Sequence, residues 1–228
     1  MGSDALFHKR KLRKQSELER KSQERAQSPR YLIVCEGTKT EPHYFQDLLD
    51  DLRIRPQLVR VAQNRGVSPN QVVEYAFHLY TSDALGGDSF DKVYCVFDRD
   101  RHTTFDAAVQ RTIELSAAVP SAPLEAITST PCFEFWFLLH FGYTDQPFHS
   151  AGKKSIGDQV VALLKTKAGF NEYGKGDRNI YSRLKTKLPS AIRSAQELRV
   201  NSAAYGSSNP ATDVDRLVSA LQALAPRV

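Results

Sequence analysis

Residues 31–41 read YLIVCEGTKTE, and this stretch decides the fold predicted for the chain. Its first five residues form an apolar run, which is typical of a strand buried on both faces of a parallel sheet. The run ends in a carboxylate, Glu36, and Gly37 follows at once. A charged side chain at the end of a buried strand adds nothing to core packing, so we predict a functional role for Glu36.

A second apolar run, residues 93–97, ends in the same way, because Asp98-Arg99-Asp100 follows it. Strands alternate with helical patterns through this part of the chain: strands at 31–35, 57–62, 92–97 and 124–128, and helices at 41–52, from 69 onward and at 104–118. The alternation predicts an α/β fold with a parallel sheet flanked by helices. In such a sheet the functional site lies beyond the carboxyl ends of the strands, where both carboxylate groups fall.

We expect three regions along the chain. Residues 1–29 are predicted to be a basic N-terminal arm, because their composition favours helix but shows little apolar periodicity. Residues 30–130 are predicted to form the α/β core. Residues 131–228 are predicted to be a mainly helical C-terminal extension packed on that core. Its predicted helices are a short apolar one at 132–141 and others at 155–167, 180–200 and 212–224, with Pro189 as a possible break in the third.

Charge is distributed unevenly along the chain. The formal net charge of +5 is the sum of +5 in residues 1–30, −7 in residues 31–149 and +7 in residues 150–193, with the remainder balanced. Two basic segments therefore flank an acidic part that carries the candidate metal ligands. This pattern suits a polyanion such as nucleic acid, gripped by the basic segments and presented to a cation. The alternative is that the lysine-rich helices are simply solvated faces.

Several classes of protein are excluded by what the sequence lacks. No apolar run approaches the roughly 18 residues that span a bilayer, and the N-terminus has no apolar signal segment, so no membrane association is expected. Cys35, Cys95 and Cys132 lie apart in apolar surroundings, which predicts buried thiols in a reducing cytoplasm. No P-loop, dinucleotide fingerprint or nucleophile elbow is present. His140, on an apolar helix, is interpreted as a core histidine.

The strand-end carboxylates predict a metal site. Asp98 and Asp100 are two residues apart, so in an extended turn both can point to the same side. Mg²⁺ prefers oxygen ligands, often one or two carboxylates with water and phosphate, so we predict Mg²⁺ here, with Mn²⁺ as a substitute. Glu36 is the third carboxylate, either as a metal ligand or as the general acid/base. The alternative for the Asp-x-Asp pattern is a loop cap that makes Asx turns.

Two further acidic residues have competing interpretations. Glu134 lies in an aromatic segment, and a glutamate is almost never fully buried without a partner. We predict a catalytic role for it at the site, and the alternative is an ion pair with an Arg or Lys of the C-terminal half. Glu41 is either a ligand of a second site or an acid favoured by the helix dipole.

Four residues are predicted to contact nucleic acid or phosphate: Lys39, Tyr173, Lys175 and Arg178. Lys39 comes just after the Glu-Gly turn, and the other three belong to a polar loop at residues 171–179. The alternative is that they are ordinary exposed loop side chains.

A resemblance to known proteins rests on specific residues. The pieces VCEG (34–37) and VFDRD (96–100) resemble the Toprim domain of topoisomerases, primases and OLD-type nucleases. More specifically, the chain resembles the RloB-like family, which includes AbiLii-type abortive-infection proteins. The matching stretches are VCEGTKTEPHYF (34–45), VYCVFDRD (93–100), STPCFEFWFLLHF (129–141), the Tyr-x-Lys at 173–175 and NPATDVDRLV (209–218).

The resemblance implies a Rossmann-like Toprim core that binds Mg²⁺ through Asp98 and Asp100, with Glu36 as general acid/base. It also implies a role in phage defence, a partner ATPase, and DNA or RNA as substrate. No context for a nucleophilic tyrosine is evident, so strand passage is not implied.

Three hypotheses for function follow. The first is a Mg²⁺-dependent nuclease that cleaves nucleic-acid phosphodiesters in antiphage defence. The second is a module that binds nucleic acid without cleaving it and acts as the partner of a defence ATPase. The third is an enzyme that uses the same carboxylates to transfer phosphoryl or nucleotidyl groups on a small substrate.

Overall fold

The structure is a computed structural model that describes residues 29–63, 68–86, 89–99, 102–119, 123–149 and 155–226. Almost all of the predicted N-terminal arm, residues 1–28, lies outside the described residues, and so does Asp100, one of the two predicted metal-binding aspartates.

Strands and helices alternate from the start of the described chain. The strands are β1 (Tyr31–Cys35), β2 (Val59–Gln63), β3 (Lys92–Asp98), β4 (Leu124–Thr130) and β5 (Ala211–Thr212). The helices are α1 (Thr40–Asp51), α2 (Pro69–Leu85), α3 (Phe105–Ala118), α4 (Glu134–Leu139), α5 (Ile156–Lys165), α6 (Ile180–Leu184), α7 (Leu188–Tyr205) and α8 (Val214–Leu224), with a 3₁₀ helix at Lys185–Lys187.

The five strands form one sheet in the order β2-β1-β3-β4-β5. The first four strands run parallel, and β5 pairs antiparallel with β4 at the edge. The predicted α/β fold with a sheet flanked by helices is therefore confirmed, and the architecture is consistent with a Rossmann-like or Toprim-like fold. The edge strand β5 was not predicted, because two residues carry no periodic pattern.

The apolar strands are buried on both faces because helices cover both sides of the sheet. Alternate residues of β1 show this arrangement: Ile33 packs in one hydrophobic cluster, whereas Leu32 and Val34 pack in the other. Helices α2 and α3 supply the second cluster. Helix α1 and the helices after β4 supply the first cluster.

The C-terminal helices pack on the α1 side of the sheet. Each of them contributes buried side chains to the cluster that contains Ile33: Phe137, Val160, Tyr181, Leu198 and Leu217 are one example from each. The helix predicted at 180–200 is interrupted before Pro189. This proline lies in the first turn of α7, where backbone N–H groups make no hydrogen bond within the helix, so its missing N–H removes none.

Two further findings concern the chemistry of the chain. The three cysteines are free and buried, as predicted. Among the described residues, no helix has the length and apolar character needed to cross a membrane.

Candidate active site

The site is built at the point where the strand order reverses. The chain leaves β1 toward one edge of the sheet and returns to β3 on the other side of it, and such a reversal leaves a crevice beyond the strand ends. Glu36 follows β1, and its backbone N–H donates to the carbonyl oxygen of Val96 in β3 at 2.9 Å. Its Oε2 accepts a hydrogen bond from the backbone N–H of Asp98 at 3.1 Å. The two predicted strand-end carboxylates therefore meet.

Asp98 is the last residue of β3. Its Oδ2 accepts a hydrogen bond from the backbone N–H of Phe133 at 3.0 Å, which ties the strand end to the turn before α4. Burial raises the pKa of Asp98 well above its ordinary value, and the negative charges of Glu41 and Glu134 raise it further. Asp98 is thus a carboxylate held in a site with an excess of negative charge.

Glu134 is buried, with 2% of its surface exposed, in the first turn of α4. Its Oε1 accepts a hydrogen bond from the hydroxyl of Tyr173 at 3.2 Å and lies 3.8 Å from the Nζ of Lys175. The thiol of Cys132 also hydrogen-bonds to it, and burial and the charge of Glu134 together raise the pKa of that thiol. Glu134 therefore joins the site and also has the lysine partner that was the alternative interpretation.

Glu41, in the first turn of α1, turns its carboxylate into the same site. It is 7% exposed and accepts hydrogen bonds from its own backbone N–H and from that of Gly37. Burial raises the pKa of Glu41 to about 7, and the charges of Glu134 and Glu36 contribute to the shift. The carboxylate lies so close to Gly37 that a Cβ there would clash with it. Because Gly37 has no side chain, the carboxylate of Glu41 has room to lie in the site.

A cavity of about 230 Å³ opens among these carboxylates. Its walls are residues 37–41, Asp98, residues 133–134 and Lys175. The cavity is large enough for a phosphoryl group with a cation and water. Its charged lining consists of the carboxylates of Glu41, Asp98 and Glu134 and the ammonium groups of Lys39 and Lys175.

The predicted phosphate contacts occupy three different environments. Lys39 and Lys175 line the cavity. Tyr173 is buried, with 1% of its surface exposed, and its hydroxyl donates to Glu134. Arg178 is exposed and lies near Asp47 of α1, whose pKa is raised by burial and lowered in part by the arginine. Arg178 does not line the cavity.

His102 belongs to the site, although no sequence pattern indicated it. Its Nε2 lies 3.2 Å from Oε1 of Glu36, so the two oxygens of Glu36 contact different groups. The one available signal was its position four residues after a strand-end aspartate. A single histidine at that distance is common in loops, so this signal was not sufficient.

The donor chemistry of the cluster fits a hard divalent cation. Carboxylate oxygens are the ligands that Mg²⁺ prefers. Burial raises the pKa values of Asp98 and Glu41, and neighbouring carboxylates raise them further, so a bound cation would favour their charged forms. Within the described residues, no three His, Cys, Asp or Glu side chains already form a ready set of ligands. A cation here would take one or two carboxylates and complete its shell with water or substrate oxygens.

A larger cavity, of about 660 Å³, lies elsewhere, between α3, β4 and the end of α7. The arginines that line it, Arg99, Arg199 and Arg216, are each in ion pairs with carboxylates. It contains none of the predicted site residues. The predicted site residues that line a cavity, Lys39, Asp98, Glu134 and Lys175, all line the smaller one.

Comparison with known proteins identifies the family. No curated protein and no solved structure matches the chain. The family model described as RloB-like protein matches residues 31–221, a range that contains every strand of the sheet and every residue of the site described above. The chain belongs to the RloB-like family.

Proposed function

We propose that this protein is a Mg²⁺-dependent nuclease of the Toprim type, which cleaves nucleic-acid phosphodiesters in antiphage defence by abortive infection. Mn²⁺ is the expected substitute for Mg²⁺. The observation that supports the proposal is a cavity at the carboxyl edge of the sheet that Asp98 and Glu134 line, with Glu36 hydrogen-bonded to the backbone N–H of Asp98 beside it. Three segments far apart in the sequence deliver these groups, and packing alone does not account for them.

Each carboxylate has a distinct role in the proposal. Asp98 binds the cation, together with Asp100 and an oxygen of Glu36. Glu36 is the general acid/base, since its two oxygens are oriented by the Asp98 N–H and by His102. Glu134, held by Tyr173, is a second catalytic carboxylate. Bound Mg²⁺ supplies Lewis-acid stabilisation of the charge that develops on the phosphoryl oxygens.

Basic side chains form the proposed binding surface for nucleic acid. Lys39 and Lys175 line the cavity, where a phosphate would enter. Beyond them, exposed basic side chains follow on the next segments of the chain: Arg178, Arg183, Lys185, Lys187 and Arg193. Because such contacts release counterions from nucleic acid, the affinity should fall steeply as the salt concentration rises.

The proposal is tested by incubating purified protein with supercoiled plasmid, single-stranded DNA and total tRNA in Mg²⁺, Mn²⁺ or EDTA. We expect cleavage of at least one polymer that requires the metal and disappears in Asp98→Ala and Glu36→Ala variants whose thermal unfolding remains cooperative. Cleavage by the Asp98→Ala variant at the wild-type rate would contradict the metal assignment.

A second candidate function is a non-cleaving module that binds nucleic acid and acts as the partner of a defence ATPase. Two observations favour it: the exposed basic side chains on the surface of the extension, and the lack of a ready three-ligand set among the described residues. Salt-dependent binding that EDTA leaves unchanged, with no product in any metal, would support this function over the nuclease.

A further inference from the structure

Lys175 joins the surface of the protein to a buried carboxylate. Its side chain is 65% exposed, whereas the side chain of Glu134, 3.8 Å from its Nζ, is 3% exposed. An ordinary surface ion pair has both partners in solvent and contributes little. Here one partner is held inside the cavity, so the position of the ammonium matters to the charge of the site.

The charge of Lys175 is felt by more than one carboxylate. Burial would lower the pKa of the ammonium, but Glu134, Cys132, Asp98 and Glu41 together outweigh it, and the pKa is raised. Beside burial, the charges of Glu41 and Glu134 raise the pKa of Asp98, and the charge of Glu134 raises the pKa of Glu41. The ammonium therefore offsets part of the repulsion inside the cavity.

The loop that carries Lys175 is anchored on both sides of it. Before it, Tyr173 is buried and donates to Glu134, and the Gly174 N–H donates to Oδ2 of Asp177 at 3.1 Å. After it, Gly176 has a φ of +95° and lies under the side chain of Lys39, where a Cβ would come within 2.7 Å of Lys39 Cδ. A glycine is needed at that position because of both its conformation and the close approach. The loop therefore directs Lys175 toward the cavity.

Different groups contact the carboxylates at the two ends of the site. At one end, Asp98 and Glu36 are oriented mainly by backbone N–H groups and by His102. At the other end, Oε1 of Glu134 already contacts the Tyr173 hydroxyl and the Lys175 ammonium. A divalent cation beside Glu134 would have to displace Lys175 or tolerate its charge.

We infer that Lys175 supplies the second positive charge of the site, so that the cavity holds one divalent cation beside Asp98 and excludes a second one beside Glu134. This inference rests on the proposed function, since it concerns the metal of the proposed nuclease. Lys175 thereby sets the metal stoichiometry, in addition to its proposed contact with the phosphate.

Calorimetric titration with Mn²⁺ in the absence of nucleic acid tests the inference. We expect one site per chain in the wild-type protein and two in Lys175→Met, which keeps the length of the side chain but removes its charge. The first ion should bind about tenfold more tightly to this variant, the order expected when one charge is removed from a partly solvated site. Lys175→Arg keeps the charge and should bind one ion.

Lys92→Met is the matched control. It removes a lysine ion pair of 2.6 Å with Glu125, outside the cavity, and should leave one site with unchanged affinity. Thermal unfolding of each variant verifies the fold, which the exposed position of Lys175 should preserve.

Two sites in the wild-type protein, or one site of unchanged affinity in Lys175→Met, would overturn the inference and leave the proposed nuclease intact. Cleavage assays on the same samples separate the two questions. A wild-type protein that binds no Mn²⁺ and cleaves nothing would instead contradict the proposed function, and the inference would fall with it.

Discussion

The backbone N–H of Asp98 donates a hydrogen bond to the carboxylate of Glu36 over 3.1 Å, although 62 residues separate the two in the chain. The carboxylate of Asp98 is not used in this contact, because its Oδ2 accepts from the backbone N–H of Phe133. Glu36 is therefore oriented by the backbone of β3 and by His102, and not by the carboxylate of Asp98. A change in the side chain of Asp98 should leave Glu36 in place, so the two carboxylates can be tested separately.

Asp98→Asn should abolish function while stabilising the metal-free protein. The amide oxygen can still accept from Phe133, but the charge is lost, so we expect cleavage to fall by about 100- to 1000-fold. In EDTA the melting temperature should rise by about 2–4 °C, because the substitution removes a buried charge and its repulsion with Glu41 and Glu134. Initial rates and thermal melts measure the two effects.

Glu114→Gln is the control for this prediction. It removes an acid whose ion pair with Arg111 is long, at 3.7 Å, and largely exposed. Its rate should stay within about twofold of wild type, and its melting temperature should not change measurably. A lower melting temperature in Asp98→Asn would show that the Asp98 charge stabilises the fold and would contradict the repulsion inferred at the site.

Tyr173→Phe should impair catalysis without weakening substrate binding. The ring still fills its buried position, but the hydroxyl that donates to Glu134 is lost. We expect the free energy of unfolding to fall by about 1–3 kcal/mol, since a buried acceptor loses a partner. We also expect kcat to fall by about tenfold at constant KM. Urea denaturation and steady-state kinetics measure these changes, and an increase in KM alone would indicate direct contact with substrate.

The sequence was sufficient to predict that Glu36 and Asp98 meet, because parallel strands bring their carboxyl ends to one edge whatever the details of packing. It was not sufficient to predict that Tyr173 holds Glu134. That contact depends on how a loop of the extension folds against α4, and no local pattern specifies such packing. The sequence therefore indicated that Glu134 is a buried carboxylate in need of a partner, but it did not indicate that Tyr173 is that partner.

Two other features depended on three-dimensional packing. Glu41 had two interpretations, as a ligand of a second site or as an acid favoured by the helix dipole, and in the structure its carboxylate lies in the cavity against Gly37. His102 reaches Glu36 from a loop with no motif. The His102 contact joins distant segments whose relative position is set by packing around the sheet, whereas Glu41 meets Gly37 of its own turn.

His140 should make the protein less stable in mild acid. Its imidazole is buried, and its Nδ1 donates to the carbonyl oxygen of Trp136 at 3.0 Å, since a carbonyl can only accept. Burial lowers the pKa of His140 to about 4, and the nearby charge of Lys187 also lowers it. A pKa depressed on folding gives stability that is present above the ordinary pKa of 6.5 and is lost as the pH falls toward 4.

The loss from His140 should reach up to about 3 kcal/mol between pH 6.5 and pH 4. His140→Asn retains a side-chain N–H for Trp136 but cannot take up a proton, so its stability should decline less over that range. Urea denaturation at several pH values measures the difference between the two proteins. Parallel curves for wild type and variant would show that His140 does not titrate on unfolding.

Gly37→Ala should disable the site by displacing Glu41. A Cβ at residue 37 would clash with the buried carboxylate, so we expect a loss of about 1–3 kcal/mol in the free energy of unfolding and a large loss of cleavage. Adding Glu41→Ala removes the clashing group, so the double variant should regain stability but not cleavage, with a coupling of about 1 kcal/mol or more. Gly86→Ala, where a Cβ meets only ordinary contacts of 3.4 Å or more, should be nearly neutral. If Glu41→Ala fails to relieve the defect, the clash is with another group and Gly37 does not act through Glu41.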